Sequence, residues 1–119
     1  MSTWYGRDGK VLVDAELGTP EWDKQMKEVE KLLTDHNYRI VKQDHTPKNK
    51  YWVSTVWLGL NHSWSEGGKP IIFETMVFDG KPEKSGLGRD YEQVRYCTEA
   101  EALKGHKKLL KEYTQKEGK

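Results

Sequence analysis

One cysteine, four prolines and no long apolar run set the first limits on this chain of 119 residues. A lone Cys97 forms no internal disulfide, which fits a reducing compartment and argues against a disulfide-stapled secreted domain. No stretch approaches the ~18 consecutive apolar residues that cross a bilayer, so no membrane partner is expected. An excess of one charge is missing too: Lys+Arg number 20 and Asp+Glu 19, a net charge of +1. Dedicated nucleic-acid domains carry a basic excess on one face, because phosphate neutralisation dominates their affinity, so there is no strong nucleic-acid signal. Six Lys against two Glu in residues 104–119 form the one local excess. It reads as a solvated helix face ending in a frayed tail over 114–119. The opening MSTWYGRDGK has no apolar core of a secretory signal, so the cytoplasm is the expected location. Metal and catalytic signatures are absent as well. His36, His45, His62 and His106 show no ligand spacing, and there is no nucleophile elbow, phosphate loop or dinucleotide fingerprint. No metal and no cofactor are expected.

What is present is aromatic: five Trp, six Tyr and two Phe, enough large apolar bodies for one compact domain over 1–119. Trp4-Tyr5, the turn Arg7-Asp8-Gly9 and Val11-Leu12-Val13 read as a short hairpin. Thr19-Pro20-Glu21 starts a helix, with Trp22, Met26, Val29 and Leu33 on one face and Asn37 as a left-handed stop. Residues 38–45 read as a strand and 46–49 as a turn. Residues 51–60, YWVSTVWLGL, form the strongest strand, and neither of its faces is wholly polar, so both are expected to be at least partly covered. A second central strand over 71–78 follows a polar loop. Residues 79–90, DGKPEKSGLGRD, form a mobile surface loop, and 91–96 a last strand. Thr98-Glu99-Ala100-Glu101 is a capping box for a helix whose stripe is Leu103, His106, Leu110 and Tyr113, flanked by Ala102 and Leu109. Gly105 weakens that helix unless it permits a close approach to the sheet. The order predicts an α+β fold: an antiparallel sheet of three to five strands packed on one face by two helices, with an N-terminal hairpin.

Two groupings carry chemistry. Glu74 stands amid Ile72, Phe73, Thr75 and Met76, where a carboxylate is costly to bury unless a cation such as Arg95 pairs with it. Read functionally, Glu74, Ser54, Thr55 and Arg95 present polar groups from neighbouring strands, and Trp57 or Trp52 offers a stacking surface for a planar polar ligand. His106, on the apolar stripe, is either a hydrogen-bonded core residue or a pocket wall. Asn61 and His62 end the central strand, where binding groups are common, although an Asn there also serves as a backbone-bonded turn. Cys97 reads as a small buried hydrophobe.

YWVSTVWLGLNHS (51–63) and PIIFETMVF (70–78) resemble the corresponding strands of a family of small uncharacterised proteins of tailed phages and prophages. The RYCTEAEALKGH stretch (95–106) is similar to that family's final helix start. The resemblance spans about three-quarters of the chain. Asn61 stands where many relatives carry Asp, the segment before the first helix is longer, and the Lys-rich 79–90 loop is this chain's own. The family supplies no catalytic residues to carry over. The resemblance implies a phage accessory protein made in the host bacterial cytoplasm and, by association only, one that acts against host defence. The expected function is non-catalytic sequestration of a small nucleotide-like ligand through Ser54, Thr55, Trp57, Asn61, His62, Glu74, Arg95 and His106, with a homo-oligomer enclosing it. Two alternatives stand beside it. One is a surface blocker of a host defence protein, of the anti-CRISPR kind. The other is a small hydrolase using His62, Glu74 or His106 as acid–base groups.

Overall fold

The computed structural model describes residues 3–63, 68–80 and 90–118. Its hairpin pairs β1 (Trp4–Tyr5) with β2 (Val11–Val13). The turn between them is held by the Gly6 amide on the Lys10 carbonyl (2.9 Å) and by Asp8 Oδ1, which accepts from the Lys10 amide (3.0 Å). Helix α1 (Pro20–Thr34) begins as the sequence predicts: the Thr19 hydroxyl accepts from the Trp22 amide, and Glu21 and Asp23 occupy the first turn. It ends differently. The Asp35 carboxylate accepts from the Asn37 and Tyr38 amides and restarts the chain as α2 (His36–Arg39). Asn37 is therefore helical, not a left-handed stop, and the strand β3 (Ile40–His45) starts two residues later than expected. Among the described residues the non-glycine at positive φ is Asn49 (58°), in the turn after β3.

Four antiparallel strands then run in sequence order: β3, β4 (Tyr51–Trp57), β5 (Phe73–Asp79) and β6 (Asp90–Tyr96). β4 stops short of Leu60 because Gly59 takes φ 79°, and a Cβ there would lie 2.7 Å from the Trp57 ring. Leu60 instead bridges to Trp4. Asp79 and Asp90 belong to strands; the remainder of the expected mobile loop, 81–89, lies outside the described residues.

Helix α3 (Glu99–Glu117) is capped by the Thr98 hydroxyl, which accepts from the Glu101 amide at 3.1 Å. The Glu101 carboxylate accepts a hydrogen bond from the Thr98 hydroxyl in return, so the reciprocal half of the capping box bonds to side chain, not backbone. The buried stripe is Ala102, His106, Leu109, Tyr113 and Glu117, while Leu103 is 41% exposed. The stripe is rotated from the expected one because the small residues let the helix approach: Tyr96 lies where a side chain on Gly105 would be, with its Oη 2.1 Å from an ideal Cβ. The helix also continues through Glu117, so the expected fraying from 114 does not occur there. Cys97 is only half-buried, with Sγ 3.9 Å from the Lys69 carbonyl.

The core lies between α3 and one sheet face, in two clusters. Val53, Val77, Leu109 and Tyr113 form one. Trp57, Ile72, Phe73 and Ala102 form the other, joined by Tyr5, Leu12, Leu32, Leu33, Tyr38, Val41 and Tyr96 from the hairpin, α1, α2 and the sheet. Burial and the bond from its hydroxyl to Glu92 push the Tyr113 phenol up to about 12. The expected α+β arrangement holds, with helices on one face. Both faces of β4 are at least partly covered, as expected, but on the Trp52–Ser54–Val56 side the cover comes from neighbouring strands: Ser54 is buried, and Trp52 and Val56 are half-buried.

Candidate functional site

Strand alternation divides the expected site residues between two faces. Thr55, Trp57 and His106 lie on the helix side; Ser54, Glu74 and Arg95 lie on the open side. They do not converge on one cavity.

On the helix side the groups bond to one another. Thr55 and Thr75 face each other across β4 and β5, their hydroxyls 2.5 Å apart. Thr55 Oγ1 is 2.7 Å from His106 Nδ1, and His106 Nε2 is 2.8 Å from Asp44 Oδ2. An imidazole protonated on Nε2 satisfies every member: Nε2–H donates to Asp44, Nδ1 accepts from Thr55, and Thr55 accepts from Thr75. The acid–imidazole–hydroxyl order matches that of nucleophilic hydrolases. Thr55 and Thr75 are wholly buried and His106 is 1% exposed, however, so a substrate has no route to the hydroxyl. This is a polar belt between the two apolar clusters, and His106 is the core histidine of the two readings. Trp57 is likewise no stacking surface: its ring is buried edge-on against Tyr38 (5.1 Å, 84°), and Nε1 donates to the Tyr5 carbonyl at 2.8 Å.

On the open side Ser54 accepts from Gln43 Nε2 (2.9 Å), and Glu74 accepts from Gln93 and from Arg95 Nε (2.9 Å). The cost of placing a carboxylate in so apolar a strand is thus offset by two donors on the next strand. The indole available here is Trp52, stacked on His45 (5.9 Å, 13°) and tilted against Phe78 (5.5 Å, 37°).

At the end of this face the chain builds a hollow. Asn61 Oδ1 accepts from the Ser63 amide (2.8 Å) and the Ile71 amide (2.9 Å), while the His62 amide donates to the Ile71 carbonyl (2.9 Å). These bonds pin 61–63 against the approach to β5. Asn61, His62, Ser63 and Arg95 line a hollow of about 220 Å³. With its oxygen committed to backbone, Asn61 has its NH₂ left to offer. An Asp at this position would hold the same two amides and offer an oxygen instead.

No family model, curated protein or solved structure matches this chain. The site is therefore built from its own geometry. Among the described residues no group of His, Cys, Asp and Glu could hold a metal, and no helix is long and apolar enough to cross a membrane. A second, wider hollow of about 530 Å³ is lined by Arg7, Asp8, Tyr38 and Glu99. Arg7 and Glu99 are already paired there: Arg7 Nε lies 2.5 Å from Glu99, and Nη1 donates to the Tyr38 carbonyl at 3.0 Å, while Asp8 accepts from the Lys10 amide. Sequence reading passed over Asp44, Thr75, Gln43 and Gln93. Alternation from Glu74 and from Arg95 was the available signal, setting Thr75 on the face opposite Glu74 and Gln93 on the face of Arg95. Asp44 and Gln43 had none, because pairing register is not written in a single strand.

Proposed function

We propose that the chain is a non-catalytic binding module that takes the anionic end of a small, nucleotide-like ligand in the hollow at Asn61, His62, Ser63 and Arg95. The observation carrying this reading is the donor set around one concavity. Glu74 holds Arg95 by Nε, so the guanidinium is oriented with its Nη groups left for a fork-like contact to phosphate. Asn61 and His62 line the same hollow. A volume of about 220 Å³ admits a phosphate or sugar phosphate but falls short of the ~300 Å³ at which pockets enclose drug-sized ligands, so a base lies over the rim. The resemblance of the two strand motifs to phage and prophage proteins supports a role in the host cytoplasm, sequestering such a ligand from a defence pathway.

Isothermal titration against a panel of inorganic phosphate, mononucleotides and cyclic nucleotides tests this. Saturable binding is expected for at least one phosphate-bearing member. Asn61→Asp keeps both backbone bonds but turns an oxygen toward the anion, so it should weaken binding tenfold or more while the melting temperature stays unchanged. Arg95→Ala should weaken it by about 10- to 100-fold, the worth of a charge-assisted hydrogen bond. A folded protein that binds no member, or binds equally well with Asn61→Asp, overturns the proposal.

A further inference from the structure

The strand register lays the face opposite α3 out in three rows. His45, Trp52, Phe78 and Asp90 form the first; Gln43, Ser54, Met76 and Gln93 the second; Ile40, Val56, Glu74 and Arg95 the third. Its apolar members (Ile40, Trp52, Val56, Met76, Phe78) are each half-buried, Ile40 where it caps the end of α2. A sheet layered on one side only leaves its second face to be covered by something else.

We infer that a second copy of this chain covers it, face to face about a two-fold axis that runs along the strands between β4 and β5. Such an axis keeps each row opposite itself and reverses the strand order, so β3 meets β6 of the other copy and β4 meets β5. The first row is self-complementary under that operation, the second in its outer pair, with Ser54 opposite Met76, and the third sets Ile40 opposite Arg95 and Val56 opposite Glu74. His45 comes opposite Asp90, Trp52 opposite Phe78, and Gln43 opposite Gln93. The charges of the third row are already matched within one copy, by the Arg95–Glu74 pair. A nucleic acid does not suit the same face, because one Arg stands against Glu74 and Asp90, leaving no cationic excess.

Three strands of seven residues and one of six give a face of at most ~23 Å by ~19 Å, or roughly 900 Å² over two copies. That lies below the ~1,200 Å² of a standard stable interface, so the dimer is reversible and concentration-dependent. This inference does not rest on the anion hollow: Asn61→Asp is expected to dimerise as the wild type does.

Sedimentation velocity from 1 to about 500 µM tests it, with the mass expected to rise from 13.9 kDa toward twice that value. Met76→Lys and Trp52→Glu, each placing a charge on one of the two central strands, should keep the protein monomeric over the whole range. His45→Glu, set opposite Asp90 at both ends of the two-fold, should weaken the dimer by about 5- to 30-fold, the upper worth of one to two surface ion pairs, and adding Asp90→Lys should restore it. A monomer at every concentration overturns the inference. So does a dimer indifferent to both central-strand charges, or a His45→Glu defect that Asp90→Lys does not repair.

Discussion

A histidine wholly enclosed between two apolar clusters is tolerable only if both ring nitrogens are bonded, and His106 meets that condition through Asp44 and Thr55. Removing one member of such a chain leaves the others with unmet donors or acceptors, which costs more than the bond itself is worth. His106→Ala should therefore lower unfolding stability by about 2–4 kcal/mol, combining a cavity with two orphaned groups. The double variant His106→Leu with Thr55→Val should cost at least 1 kcal/mol less than the two single changes added together. Urea denaturation of the four proteins measures this, and additivity within about 0.5 kcal/mol would show that the chain does not act as a unit. At this scale the sequence was partly legible. An imidazole on an apolar stripe, and a carboxylate in an apolar strand paired with Arg95, follow from burial cost alone. The rotation of the stripe was not legible: periodicity favours the larger Leu103, while close packing on Tyr96 selects Ala102 and Gly105, and that choice depends on a strand seven residues away.

Elements are tied at their ends, and the C-terminal turn of α3 shows how. The Glu117 carboxylate accepts from the Thr46 hydroxyl and from the amides of Lys48 (2.7 Å) and Lys50 (3.0 Å), latching the helix to the β3–β4 turn. Burial by itself raises the carboxyl's pKa, but the Thr46 hydroxyl, the two backbone amides and the Lys48 charge outweigh it and hold the group below its ordinary value of 4.5. A depressed carboxylate stabilises the fold above its unfolded-state pKa, and the contribution is lost as pH falls through the folded one. Glu117→Gln should thus be less stable than the wild type near pH 7. The gap should begin to close as pH drops past about 4.5 and vanish in stronger acid, as followed by urea midpoints from pH 7 to pH 2.5. A gap that is constant with pH would deny the latch its charge. A composition rich in Lys and ending in Gly and Lys reads as a fraying tail, because composition carries no trace of a turn some seventy residues earlier. Strand identities, by contrast, were legible from alternation and β-branched content. Their ends were not, since Gly59 and the Asp35 cap set them through backbone geometry.

Over the whole molecule the hairpin, α2 and the start of α3 meet at one side chain. Arg7 bonds Glu99 through Nε, donates from Nη1 to the Tyr38 carbonyl, and lies over the Tyr38 ring, while its own amide donates to the Tyr38 hydroxyl. The apolar half of the same junction is the Trp57 cluster, which takes residues from every one of these elements, whereas the Val53 cluster uses only α3 and the sheet. Two clusters joined through a polar belt should open unequally, the hairpin end first. Arg7→Ala leaves the sheet and the Val53 cluster untouched but releases Glu99 and the Tyr38 carbonyl, with Arg7 and Glu99 each partly exposed. The global cost should be about 1–2 kcal/mol, below the ~3 kcal/mol upper worth of a charged hydrogen bond because solvent screens the pair. The local effect should be larger in kind. The Tyr5 and Gly6 amides, bonded to Gly59 and Lys10, should exchange with solvent at least tenfold faster. Amides within the second half of α3 should change only by the global amount. Native-state hydrogen exchange separates the two, and equal acceleration at Tyr5 and at Leu109 would mean that the hairpin opens only when the whole chain unfolds.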